Sequence, residues 1–289
     1  MKKIRVSCPG SCGELFQGVY QGQEVLLSYN INKVSQITLS SHPKKHKLPK
    51  RKSKLRAALQ LLPDLEKIRV DHKSQLPIGK GYSSSTADLA SFLQAAFLYQ
   101  GTFKTADEIS RLCAQIEATD SVAFSDWTVI NPLTGERIWQ TSWKPDLYVY
   151  VLEPDVSIET DKIRRITACD SYATVESENL FPLFQEACQE ESLEKLGKLA
   201  TYSALLNNKR LPKPYLEEVL ELVFSNQYLG INIAHSGSLI GILLKKEELA
   251  SLDKFEKQIK NSPLAAYYKS RSLCQVTYQG MVNLEEVSK

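Results

Sequence analysis

The sequence predicts an α+β fold, and three observations carry that expectation. Lys67–Lys73 alternates like a strand, a glycine- and serine-rich turn follows, and Thr86–Phe97 carries an apolar stripe like a helix. The first forty residues read as short strands separated by turns. The second half runs through strands and helices in a βααβαβ-like order, which suits a layer of helices on a sheet. At 289 residues the chain can bury a large core and holds one or two domains.

Lys3–Ser7 opens the chain as a strand. In the following Cys8-Pro-Gly-Ser-Cys-Gly-Glu14, the residues Pro9, Gly10 and Gly13 predict a sharp turn with Glu14 just beyond. Composition alone favours a surface turn there; the functional alternative is a backbone loop around a small ligand. Val25–Tyr29 and Val34–Leu39 read as separate strands. His42–Lys54 is the most basic stretch of the chain and precedes a helix over Leu55–Leu62. A charged run of this kind could meet nucleic acid, but it lacks interleaved aromatics that stack on bases. A solvated loop is the simpler reading.

The centre of the chain is Leu76-Pro-Ile-Gly-Lys-Gly-Tyr-Ser-Ser-Ser-Thr-Ala-Asp-Leu-Ala90. Gly79 and Gly81 let the backbone bend and come close to a ligand. Ser83, Ser84 and Ser85 stand where a helix begins, beside backbone N–H groups with no helical partner. Such a helix start favours an anion, most often a phosphate, and Lys80 adds a positive charge. An ordinary N-capped helix after a turn would use the same residue types. The spacing fits neither Gly-x-x-x-x-Gly-Lys-Ser/Thr nor Gly-x-Gly-x-x-Gly.

Thr105–Glu117 reads as an amphipathic helix, with Thr105 and Glu108 spaced as a capping box. Glu117 and Asp120 are three apart, so a last helical turn would place both on one side. Paired carboxylates suit a metal ligand beside a catalytic acid or base. Asp126–Trp139 predicts a hairpin turning at Asn131–Gly135, and Leu147–Leu152 a buried strand. Helices are expected at Leu180–Ala187, Leu193–Leu206 and Tyr215–Asn226. After them come a strand, a Ser236-Gly237-Ser238 turn and a second strand within Gly230–Leu244. A helix near Glu247–Ile259 and a strand at Leu273–Tyr278 close the chain.

Composition narrows the class. A charged fraction of 24% and a hydrophobic fraction of 43% are ordinary for a globular protein. No uncharged run is long enough to cross a membrane and no leader is recognisable, so a cytoplasmic protein is expected. The six cysteines, Cys8, Cys12, Cys113, Cys169, Cys188 and Cys274, contain no Cys-x-x-Cys pair and read as separate reduced thiols. A net charge of +3 is too small to argue for nucleic acid and suits an anionic substrate only weakly.

The order Pro77-x-x-x-Gly81-x-Ser83-Ser84-Ser85-x-Ala87 resembles the phosphate loop of the GHMP kinases, the galactose, homoserine, mevalonate and phosphomevalonate kinase superfamily. Pro9-Gly10-Ser11 resembles its first motif, with Ser11 where many members carry lysine. Ala234-His-Ser-Gly-Ser-Leu-Ile-Gly241 resembles its third. Pro9-Gly-Ser-Cys-Gly-Glu14 and Ser84-Ser-Thr-Ala-Asp88 are most like the L-threonine kinase branch of the propanediol-utilisation and cobalamin pathways. The resemblance implies a two-domain α+β fold. Residues 1–145 would be like the second domain of ribosomal protein S5, and 146–289 ferredoxin-like, with the boundary near Trp143–Asp146. It implies transfer of phosphate from ATP to the L-threonine hydroxyl with Mg2+. Lys80, Gly81, Tyr82, Ser83, Ser84, Ser85 and Thr86 would hold ATP, Ser85 and Glu117 the metal, and Asp120 the reacting hydroxyl. Ser11, Gly13, Glu14, Ser236, Gly237 and Ser238 would hold the amino acid. The family separates the two carboxylates by a longer loop, whereas only Ala118 and Thr119 intervene here. Homoserine or L-serine are alternative acceptors, and a non-enzymatic nucleic-acid-binding module is the more distant alternative. The partners implied are L-threonine and ATP, with no membrane and no nucleic acid; a homodimer is compatible.

Overall fold

The computed structural model describes residues 2–49, 53–156 and 175–284. Its first two strands are far longer than the sequence suggests. β1 (Lys3–Tyr20) and β2 (Gln23–Ser41) form one antiparallel hairpin. The connection uses Gln21 and Gly22, both with positive φ, which matches the twist of a tight hairpin. The sharp turn expected at Pro9, Gly10 and Gly13 is instead a bulged passage of β1. Register against β2 slips between Pro9 and Ser11, Ser11 and Glu14, and Glu14 and Phe16. Bulges bend a strand without ending it, so glycine and proline do not break the ladder here.

The remaining elements are α1 (Ser53–Gln60), β3 (Ile68–Ser74), α2 (Ser84–Tyr99), α3 (Ala106–Ala114), β4 (Trp127–Asn131), β5 (Glu136–Thr141) and β6 (Leu147–Glu153). After residue 174 come α4 (Val175–Glu178), α5 (Leu180–Gln189), α6 (Leu193–Arg210), α7 (Leu216–Ser225), β7 (Gly230–Ile233) and β8 (Ile240–Lys245). α8 (Leu252–Lys260), α9 (Leu264–Tyr267), β9 (Ser270–Gln275) and β10 (Val282–Leu284) complete the chain. Among the described residues all ten strands join one sheet in the order β5-β4-β2-β1-β7-β8-β6-β9, with β3 also on β2 and β10 also on β1. The length of β1 and β2 allows this, since each meets different neighbours along its course. The two halves of the sheet meet at the pair Glu14 and Ile233 between β1 and β7, and at a bridge between Ile31 on β2 and Val276 just after β9.

α2 is the central helix. Ala87, Leu89, Ala90, Phe92, Leu93, Ala95 and Ala96 are all buried, so its apolar surface wraps around the helix rather than forming one stripe. It packs on β1 and β2. One charge goes inside with it. Asp88 accepts hydrogen bonds from Ser35 Oγ at 2.5 Å on β2 and His72 Nε2 at 2.8 Å on β3. A buried carboxylate needs such partners, and these tie the start of α2 to the sheet. The capping box of α3 forms as expected, with Thr105 accepting from the Glu108 N–H and Glu108 accepting from the Thr105 N–H.

Other boundaries differ from the sequence expectation. α6 extends to Arg210, and residues 246–251 form a 3-10 segment ahead of α8. Part of the basic stretch is not a free loop. Lys47 donates its N–H to Ile68 and accepts from the Val70 N–H, at 2.8 Å each, so the chain runs alongside β3. Lys50, Arg51 and Lys52 lie outside the described residues. Cys8, Cys12, Cys113, Cys188 and Cys274 are buried free thiols, and Cys169 lies outside the described residues. No helix among the described residues is long and apolar enough to cross a membrane.

Candidate active site

Three separate stretches of chain are stacked at the start of α2. The bulged part of β1 lies on one side of the Gly79–Ser83 loop: Ser11 N donates to Tyr82 O at 3.1 Å and Gly13 N to Gly81 O at 3.0 Å. The loop after β7 lies on the other, where Ser238 N and Leu239 N both donate to Lys80 O, at 2.8 and 3.2 Å. Backbone approach this close leaves no room for side chains. A Cβ on Gly81, whose φ is +109°, would stand 2.1 Å from Ala234 Cβ. A Cβ on Gly237 would stand 2.3 Å from Lys80 O. The glycines therefore let three loops share one small volume.

Within this stack the phosphate-loop candidates divide by task. Ser83 is the N-cap of α2 in a left-handed conformation, and its hydroxyl lies 2.5 Å from Ser11 Oγ. Its side chain makes no capping bond, so it does not occupy the first N–H groups of α2. Tyr82 is buried and donates its hydroxyl to Glu153 Oε2 at 2.8 Å; burial pushes its phenol far above the ordinary range. Lys80 is also buried. Its ammonium donates to Pro154 O and lies 3.8 Å from Glu153 Oε1. Both side chains thus anchor the loop to the end of β6.

The two carboxylates reach α2 by a route the sequence does not show. α3 ends at Ala114, so Glu117 and Asp120 do not share a last helical turn. They lie in the connection to a 3-10 turn over Ser121–Ala123, for which Asp120 is the N-cap. From there Glu117 Oε1 accepts from Ser85 Oγ, and Glu117 Oε2 from Lys54 Nζ. Asp120 Oδ2 lies 3.4 Å from Thr86 Oγ1, and its Oδ1 lies 3.5 Å from Ser28 Oγ on β2. Asp120 N donates to Thr86 Oγ1 at 3.2 Å. Neighbouring residues at the start of α2 therefore hold neighbouring carboxylates, and two intervening residues suffice.

Glu14 stands at the junction of the sheet halves. Its Oε2 accepts from His235 N at 2.8 Å. His235 Nε2 lies 3.5 Å from Ser203 Oγ on α6. Full burial, with Lys213 and Arg210 nearby, pushes the His235 imidazole well below its ordinary range, so it is neutral. Ser203, Asn207 and Arg210 are spaced to share one face of α6. Asn207 is 2% exposed, and neither its amide nitrogen nor its oxygen has a partner among the described residues. Lys213 follows the helix, buried. Desolvation, partly offset by Glu14, pushes its ammonium down to about 8. Ser236 is half-buried in the adjoining turn, while Ser238 Oγ donates to Val156 O at 2.9 Å and so closes the loop stack.

The profile described as the GHMP kinases N terminal domain matches residues 51–128. The chain is 30% identical over 284 residues to an L-threonine kinase of Citrobacter freundii, covering 95% of this chain and 97% of that one. It is 32% identical over 259 residues to an L-threonine kinase of Salmonella typhimurium, covering 85% of each. The chain belongs to the GHMP kinase family. Its fold agrees with that of a homoserine kinase from Cytophaga hutchinsonii, with a TM-score of 0.73 at 16% identity, covering 98% of both chains. It also agrees with a mevalonate kinase of Methanococcus jannaschii, with a TM-score of 0.68 at 14% identity, covering 96% of this chain and 99% of that one.

For this GHMP kinase the sequence motifs pointed to the loop stack and the two carboxylates. They did not point to Ser28, Lys54, Glu153, Asn207, Arg210 or Lys213. Arg210 and Lys213 lie beyond the helix expected over Leu193–Leu206. Only the burial of Lys213, with Glu14 and His235 nearby, marks this end of the helix; Arg210 is exposed.

Proposed function

We propose that this chain is an ATP-dependent L-threonine kinase, forming O-phospho-L-threonine and ADP. The observation that carries the reading is the pair of contacts at the start of α2, Ser85 with Glu117 and Thr86 with Asp120. The chain's identity to two L-threonine kinases supports the choice of acceptor.

In this reading the N–H groups and hydroxyls of Ser83–Thr86 hold the polyphosphate. Among the described residues no cluster of three or more His, Cys, Asp or Glu side chains could hold a metal alone. The oxygen donors of Ser85 and Glu117, completed by phosphate oxygens, fit Mg2+, which favours few carboxylates and substrate phosphates. Bound there, the ion would neutralise charge on the transferring group. Asp120 orients the threonine hydroxyl and accepts its proton as the bond to phosphorus forms. Arg210 and Lys213 meet the α-carboxylate and Glu14 the α-ammonium, because Lys213 and Glu14 are buried near His235 and Arg210 stands exposed close to them at the end of α6. The division at residue 145, a cytoplasmic location and use of the product in the aminopropanol arm of cobalamin synthesis rest on the family resemblance.

The direct test supplies ATP with an equimolar mixture of L-threonine, L-serine and L-homoserine and identifies products by mass spectrometry. Phosphothreonine should dominate; phosphohomoserine in excess would replace the acceptor while keeping the chemistry.

Lys213 adds a pH signature. An ammonium that titrates at about 8 is charged below that pH and neutral above it. The kcat/KM for threonine should therefore fall as pH rises through about 8. Lys213→Arg keeps its charge throughout and should move the fall to higher pH. Identical profiles for the two proteins would remove Lys213 from substrate binding.

A further inference from the structure

Lys54 stands on the first turn of α1, a helix that docks through Leu55 and Ala58. Its ammonium donates to Glu117 Oε2, and the other oxygen of the same carboxylate accepts from Ser85. Three elements that are distant in sequence thus converge on one carboxylate. The Lys54 and Glu117 side chains are 31% and 18% exposed, so the pair is partly shielded yet open to ions from solution. A carboxylate oxygen occupied by an ammonium presents a positive charge to any second cation that approaches it, and the repulsion is least screened away from bulk water.

We propose that Lys54 and the divalent cation compete for Glu117, and that metal loading hands the Lys54 ammonium to the phosphates of the nucleotide. This rests on the reading of Glu117 as the metal ligand. Glu117 keeps a cationic partner throughout, first the lysine and then the metal, so the partly buried carboxylate is never left uncompensated. The phosphates arrive beside it, at the start of α2, where the displaced ammonium finds the next available anion. Lys54 is therefore a positioning residue that couples the metal to the nucleotide.

The test measures equilibrium Mn2+ binding from the electron paramagnetic resonance signal of the free ion, with no turnover required. Lys54→Met should bind Mn2+ about tenfold more tightly than wild type in the absence of nucleotide, equivalent to ~1.4 kcal/mol. Lys54→Arg, which keeps the charge, should stay near wild type. With Mn2+ saturating, Lys54→Met should bind a non-hydrolysable ATP analogue about tenfold more weakly, again ~1.4 kcal/mol. Lys54→Gln takes the place of the methionine variant if circular dichroism shows that methionine disturbs the fold. Glu117→Gln separates the two readings. If it keeps wild-type Mn2+ affinity, the metal assignment fails and the competition with it. If it loses Mn2+ while the Lys54 variants match wild type for both ligands, the metal assignment stands and the competition is overturned.

Discussion

Asp120→Asn should lower turnover by roughly 10²–10⁴-fold, the usual contribution of a positioned general base. The change keeps the shape of the side chain and removes its charge and its proton affinity. A threonine hydroxyl is a poor nucleophile at neutral pH and needs a group that orients it and takes its proton. Asp120 is placed for this by Thr86 and Ser28, which hold its two oxygens at 3.4 and 3.5 Å. The loss should appear in kcat with the KM for ATP nearly unchanged, because the phosphates are assigned to the Ser83–Thr86 stretch. His235 is the competing base. It is fully buried and neutral, and Glu14 accepts from its backbone N–H. His235→Asn should accordingly cost far less in kcat. A small loss at Asp120 together with a large one at His235 would transfer the base to the histidine.

The second large effect is expected at Gly81. Gly81→Ala puts a Cβ where φ is +109° and where Ala234 Cβ is only 2.1 Å away. Forcing a non-glycine residue into such backbone space costs about 1–3 kcal/mol before the clash is counted. Relief requires the phosphate loop to move off the loop after β7, which breaks the bonds from Ser238 N and Leu239 N to Lys80 O. Thermal unfolding should therefore shift down by several degrees, at about 2–4 °C per kcal/mol. Activity should fall further than stability, since the same shift misplaces Ser83 and the start of α2. Gly22→Ala is the matched control: its φ is also positive, but nothing lies within 4 Å of the added Cβ. If both variants lose the same small amount of stability and neither loses activity, close packing of the three loops does not hold the site.

The legibility of the site followed the chemistry of each signal. The strand, glycine turn and serine-rich helix start were readable because they are local: glycine permits the bend and serine suits a helix start wherever they occur. The capping box at Thr105 and Glu108 is local in the same sense, and it forms. The run through Pro9, Gly10 and Gly13 misled for a physical reason. Those residues usually end a strand, but the long partner β2 absorbs them as bulges. Glu117 and Asp120 were legible as a pair, though not in arrangement. Helical spacing suggested one face, while the helix stops at Ala114 and a loop delivers both carboxylates to α2.

What the sequence by itself determined is therefore the chemistry available: a helix start rich in hydroxyls, two carboxylates close in sequence, and three motifs in a fixed order. These depend on the preferences of a few consecutive residues. Tertiary structure decided which groups meet. Lys54 reaches Glu117 across 63 positions, Glu14 reaches His235 across 221, and Lys80 turns to Glu153 and Pro154 across 74 at the carbonyl contact. No local propensity encodes such contacts. They arise because β1 and β2 carry both halves of the sheet and α2 is buried against them, so the sheet brings the loops together and close packing fixes which side chains can pair.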